Sequence, residues 1–194
     1  MRKANQIFQG AVDAFAEKGF DRATMDEVAE RAGVAKGTLY YHFVGKEELI
    51  CFLMEEGIGQ LSSAVAEAVA QTDDPQGQVR AAIGAMVAYS NENRKFCQLL
   101  VKCIWSNAER QEQFREILQS YFDRLTGILN HGIHRGVFQP QPMEWAPSAW
   151  FGLVTIVILR VILQGQATDQ ERLVDYLYTQ YMYGIIGRDI KTPN

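Results

Sequence analysis

The stretch GVAKGTLYYHF, residues 33–43, crowds hydrogen-bonding side chains onto a segment short enough for one small helix. At about 100° per residue, Leu39 and Phe43 fall on one face of such a helix. Gly37, Thr38 and Tyr41 fall on the opposite face, flanked by Lys36, Tyr40 and His42. Neighbouring residues on a helix point in different directions, so one core cannot absorb Tyr40, Tyr41 and His42 together. The outward face therefore carries a hydroxyl, two phenols, an imidazole and an ammonium. These groups donate hydrogen bonds to phosphate oxygens and to base edges. Gly37 costs about 1 kcal/mol against Ala inside a helix, and its bare backbone admits the close approach of a partner. A lone tyrosine here would read as packing and a lone lysine as solvated surface. The whole set on one short helix reads as a nucleic-acid contact.

Two short helices separated by a tight glycine turn would position that face. In MDEVAERAGVAKGTLYYHF, Thr24 with Glu27 three residues later forms a capping box at the start of the first helix. Val28, Ala29 and Ala32 form its inner face, and Gly33 ends it. This is a helix-turn-helix pattern. An earlier helix carries Ile7, Ala11, Ala14 and Phe15 at helical spacing and stops at Gly19. Residues 33–46 hold Lys36 and Lys46 and no acid, whereas residues 1–48 hold seven basic and eight acidic residues. The net charge of −4 gives no global field for a polyanion, so contact must be local.

Residues 7–50 resemble the DNA-binding domain of the TetR family of bacterial transcriptional regulators. The run AGVAKGTLYYHF followed by Lys46 carries the likeness, because it fixes turn, recognition helix and next helix together. The resemblance implies base-reading positions at Lys36, Gly37, Thr38 and Tyr40, and phosphate-binding positions at Thr24, Tyr41, His42 and Lys46. Many members have Ser where this chain has Ala35, which has no side-chain oxygen to cap the recognition helix. The implied fold is all-α with about nine helices. It has a three-helix helix-turn-helix domain over 1–48 and a larger helical ligand-binding and dimerisation domain over 49–194. The implied partners are double-stranded operator DNA, a small-molecule effector and a second copy of the chain. The implied function is a repressor that binds a near-palindromic operator as a dimer and lets go when the effector binds.

Beyond residue 50 helical periodicity continues without strand alternation. A long helix follows Lys46, DDPQG at 73–77 is a break, and helices fit about 76–92, 94–106 and 109–135. Gly132 and Gly136 read as stop signals for the last of these. Phe96, Leu99, Leu100, Cys103, Phe114, Leu118, Tyr121, Phe122 and Trp150 are mostly core residues, and some are candidates to line a pocket between helices. Few charges interrupt them, which favours a lipophilic effector with Tyr121 as a polar handle. AWFGLVTIVILRVIL, 149–163, is apolar on nearly all sides, yet at 15 residues it falls short of the roughly 20 needed to span a bilayer. Leu153, Ile156, Val157 and Arg160 on it, with Leu173, Leu177 and Tyr181 on the last helix, are candidates for a two-fold interface.

Other chemistry is weakly signalled. His131 and His134 lack the spacing of a zinc motif, and no metal or cofactor is expected. Cys97 and Cys103 lie six apart and so face different ways. Three cysteines at uneven spacing fit a reducing cytoplasm, and the N-terminus has no continuous apolar block of the signal-peptide kind. No nucleophile elbow or phosphate loop is present, so the expectation is a non-enzyme. The rival reading is a small helical enzyme or ligand carrier with an incidental helix-turn-helix-like pair.

Overall fold

The computed structural model describes residues 2–104, 108–165 and 169–185. The described residues form helices only: α1 Arg2–Lys18, α2 Met25–Ala32, α3 Lys36–His42, α4 Lys46–Val69, α5 Pro75–Glu92, α6 Arg94–Ile104, α7 Ala108–His134, α8 Ala146–Gln164 and α9 Gln170–Ile185. The all-α reading with about nine helices holds. The C-terminal stretch RDIKTPN, 188–194, lies outside the described residues.

Two compact units emerge. The first contains residues up to Gln60 together with Asn93–Gln119; the second contains Leu61–Glu92 and the chain from Ser120 onward.

In the first unit, α1 lays Phe8, Ala11 and Phe15 against Val28, Ala29 and Ala32 of α2, all buried. The two helices come so close that a Cβ on Gly10 would stand 2.5 Å from Ala32 N. The capping box closes the start of α2: Glu27 N donates to Thr24 Oγ1 at 3.3 Å, and Thr24 N donates to Glu27 Oε2 at 3.0 Å. Lys18 also bonds Glu27 and, with the Thr24 contacts, holds its carboxyl below the usual range. Gly33, at φ 64°, ends α2 in the left-handed conformation that turns the chain into α3. Leu39 anchors α3 with no exposed surface. Farther along, Phe8 packs on Phe96 of α6 at 5.1 Å. Gly57 of α4 yields the space: a Cβ there would fall 2.0 Å from Phe96 Cζ.

In the second unit, α5 packs on α8 and α9, and α8 packs on α9. The DDPQG break proves to be a helix start. Asp74 Oδ2 accepts from Gly77 N at 2.7 Å, with Pro75 in the first turn. Gly132 is not a stop signal. It lies buried inside α7, and a Cβ there would meet the Phe138 ring at 2.0 Å. Gly136, at φ 69°, does end the turn and brings Phe138 back over Gly132. α8 runs to 19 residues, so α4 and α8 are both long and apolar enough to cross a membrane by length and composition. Length therefore no longer argues against a span in α8. Trp150, Val154, Ile158 and Ile162 are buried along its inner face, and Arg160 stands exposed on the outer one.

Candidate nucleic-acid interface

The seven-residue α3 is amphipathic in the expected sense. Leu39 points in, while Tyr40 is 51% exposed and Tyr41 85% exposed. Lys36, Gly37 and His42 are exposed and Thr38 is half-buried. Nothing lies within 4 Å of a Cβ built on Gly37, so its backbone faces open space. Ala35 makes no side-chain cap, which leaves amide donors at the helix start to an outside acceptor. A negative oxygen is the natural one, because helix N-termini attract anions. Tyr41 rests edge-on against His42 at 5.1 Å, which orients both rings outward from the same turn. Phe43 turns the other way and packs on Phe52 of α4 at 5.2 Å.

Two cations in this set already have partners. Lys36 Nζ pairs with Asp26 Oδ2 at 2.6 Å, which raises its pKa. Both groups are well exposed and such a pair is weak in water, so a phosphate or guanine can displace it cheaply. Lys46 is held more firmly. Its ammonium donates to Phe20 O and Asp21 O, each at 2.7 Å, and lies 5.1 Å over the Phe20 ring. Arg110 of α7 covers the same ring at 4.1 Å. It also bonds Glu47 through two nitrogens, at 2.8 and 3.0 Å, and Cys103 O at 3.3 Å. Lys46 thus braces the α1–α2 turn, and one of its three protons at most is left for a phosphate. Sequence reasoning missed this clamp, because Phe20, Lys46 and Arg110 are far apart in the chain. It also missed Val44, which is 85% exposed just past α3. An apolar side chain beside a reading helix suits a thymine methyl.

Thr24 stays exposed at the start of α2. Its Oγ1 is occupied by the cap, so only its hydroxyl proton is available to a phosphate. Thr38, by contrast, is a candidate for base readout. Thr38→Ala is therefore expected to reduce discrimination between operator and scrambled DNA by roughly 1–3 kcal/mol. Tyr41→Phe should weaken both sequences by the same factor. Competition binding with the two DNAs checks this; equal losses from both substitutions would remove Thr38 from the reading set.

The pocket candidates separate between the two units. Phe96, Leu99, Cys103 and Leu118 are buried in the first unit, and Leu100 and Phe114 are half-buried there. Phe96 is committed to Phe8 and to the space over Gly57, so it fills core rather than lining a pocket. Burial pushes the Cys103 and Cys51 thiols up, away from the thiolate that redox sensing needs. Tyr121 and Trp150 are fully buried in the second unit, where Phe122 is half-buried. Tyr121 and Phe122 both meet Phe151 edge-on, at 5.7 and 5.4 Å. His131 Nδ1 is 2.8 Å from Gln78 Oε1, and His134 is exposed. Among the described residues no three His, Cys, Asp or Glu are grouped to hold a metal.

The candidates for a two-fold face are redistributed. Ile156 is 66% exposed and shares its stripe with exposed Arg160 and Leu163. Leu153, Val157 and Leu173 are half-buried. Leu177 is fully buried inside its own chain, and Tyr181 stacks on Trp150 at 5.2 Å. Leu177 is thus not presented outward and Tyr181 is half-buried, whereas Tyr176 of α9 is 55% exposed.

Residues 7–50 match the family model of bacterial regulatory proteins of the tetR family. Over residues 7–50 the chain is therefore similar to the DNA-binding domain of that family. The chain is a ligand-responsive DNA-binding regulator. The family is one of transcriptional regulators rather than enzymes. Relatives along almost the whole length include the fatty acid metabolism regulator protein of Bacillus subtilis, 27% identical over 94% of this chain and 95% of its own. The regulator BetI of Escherichia coli is 25% identical over 93% and 94%. A crystal structure of the regulator FadR from Bacillus subtilis in complex with stearoyl-CoA superposes with a TM-score of 0.82. It is 25% identical, covering 93% of this chain and 98% of that one.

Proposed function

We propose that the chain is a cytoplasmic homodimeric repressor of a near-palindromic operator, released by a lipophilic effector of the acyl type. One observation carries the reading: α3 presents Lys36, Gly37, Thr38, Tyr40 and Tyr41 outward on a helix pinned by Leu39. Two such helices reach successive major grooves when two copies pair about a two-fold axis. The exposed apolar side chains Ile156, Leu163 and Tyr176 supply a surface that such a pair would cover. The aromatic interior around Tyr121, Phe122, Trp150 and Phe151 favours a hydrocarbon-rich effector over a sugar phosphate, which would need buried counter-charges. The relative bound to stearoyl-CoA supports the acyl class. The effector works by binding one conformer better than the other, so its differential affinity sets the extent of release.

The test has two parts. The protein should be retained on operator DNA, with affinity falling as salt rises. A long-chain acyl-coenzyme A should both raise the melting temperature and release the DNA. A phosphorylated sugar that does both while the acyl compound does neither would refute the effector class. Failure to bind DNA at low salt would refute the regulator reading in favour of a helical carrier or enzyme.

A further inference from the structure

Among the described residues one charged side chain is buried: Arg110, in the first turn of α7, at 7% exposure. Burying a guanidinium is costly, and an apolar side chain of similar volume often serves stability as well or better. What the charged group adds is direction, because its N–H donors leave a rigid plane at fixed angles. All three of its nitrogens are engaged. Nε and Nη2 grip the Glu47 carboxylate in the first turn of α4, at 3.0 and 2.8 Å, and Nη1 reaches Cys103 O near the end of α6 at 3.3 Å. The same group lies 4.1 Å from the centre of the Phe20 ring, in the turn after α1. That ring packs on buried Phe15 of α1 at 5.3 Å, and Lys46, next to Glu47, donates to Phe20 O. The turn after α1 leads into α2, and the start of α4 is where the chain leaves α3. Both ends of the α2–α3 pair are therefore tied to one side chain on α7. All of these residues belong to the first unit.

We infer that Arg110 is a positioning residue for sequence-specific DNA binding: through Phe20 and Glu47 it sets the attitude at which α3 is presented, and it touches no DNA itself. Glu47 carries the sign that repels phosphate, so its contribution reaches the DNA only by way of Arg110. This role depends on the DNA-binding function alone, and neither the effector class nor the number of copies enters it.

The probes are a duplex that the wild-type full-length protein selects from random-sequence DNA, and a scrambled duplex of the same composition. Affinities are measured well below the melting temperature of every variant. On charge alone, Glu47→Gln should tighten both duplexes, since it removes an acid from a unit that meets a polyanion. If the carboxylate acts through Arg110, the sign reverses for the selected duplex, which should bind about tenfold more weakly. Arg110→Met should weaken the selected duplex by at least about the same factor, with an unchanged salt dependence because no phosphate contact is lost. The double variant should bind no more weakly than Arg110→Met, because Glu47 then has nothing to act through. A merely structural arginine would lower the melting temperature and leave the affinity of the folded protein intact. Unchanged or tighter binding of the selected duplex by Glu47→Gln would overturn the inference, as would additive losses in the double variant. A flattened salt dependence for Arg110→Met would make it a phosphate ligand and overturn it too. Glu47 is 66% exposed, so the sign test stands even where Arg110→Met fails to fold. A wild type that enriches no sequence would overturn sequence-specific binding and the inference with it.

Discussion

Gly10→Ala is expected to destabilise the first unit by roughly 2–4 kcal/mol and to abolish operator binding at the growth temperature. On propensity alone the change should help, since Ala is better than Gly inside a helix by about 1 kcal/mol. Tertiary geometry reverses the sign. The new Cβ would lie 2.5, 2.7 and 2.8 Å from the N, Cα and Cβ of Ala32. Two of these are backbone atoms, so no rotamer change relieves the overlap and α1 must move off α2. Phe8, Phe15 and Val28 are all buried at that contact and would lose their packing together. α3 packs on α2, so the recognition helix loses its support. Gly59→Ala is the control. It is exposed in α4, with nothing within 4 Å of its Cβ, and should stabilise by up to about 1 kcal/mol. Thermal melts of the two variants check the pair; a Gly10→Ala melt within a degree of the wild type would remove the close approach.

The second large effect concerns assembly. Ile156→Asp with Leu163→Asp places two carboxylates per chain on the exposed stripe of α8. In an isolated chain such surface changes matter little, within about 0.5 kcal/mol. In a two-fold interface they desolvate four charges of one sign, each costing several kcal/mol. The wild type should sediment as a dimer at micromolar concentration without DNA or ligand, and the variant as a folded monomer. Operator affinity should fall by at least about a hundredfold, because the second recognition helix is no longer held beside the first. A dimeric mass for the variant would exclude this stripe as the interface. A monomeric wild type would exclude the dimer itself.

What could be read in the sequence was local. The Thr24–Glu27 box, the Gly33 turn and the in-out pattern of Leu39 against Tyr40 and Tyr41 each depend on residues within a few positions, and the structure reproduces them. What could not be read depended on contacts across the chain. Gly132 looked like a stop because nothing nearby shows that Phe138 will fold back onto it. Phe96 looked available because Gly57, which gives it space, is 39 positions earlier. Leu177 and Tyr176 are adjacent, and only the packing of α8 against α9 decides which is buried. Lys46 carried the charge expected of a phosphate ligand, but Phe20 O and Asp21 O take up two of its protons.

The brevity of α3 limits how much information the protein can extract from a genome. Seven residues at 1.5 Å each span about 10 Å, the length of roughly three base pairs. Paired as proposed, two copies would inspect about six positions directly, and a six-letter word recurs by chance about once in 4,000 base pairs. A bacterial chromosome of millions of base pairs holds on the order of a thousand such words. Unique addressing must then come from elsewhere: from the fixed distance between the two half-sites, and from how readily the intervening DNA bends or twists to meet it. Altering the spacer by one base pair should consequently cost as much recognition as altering a letter within a half-site.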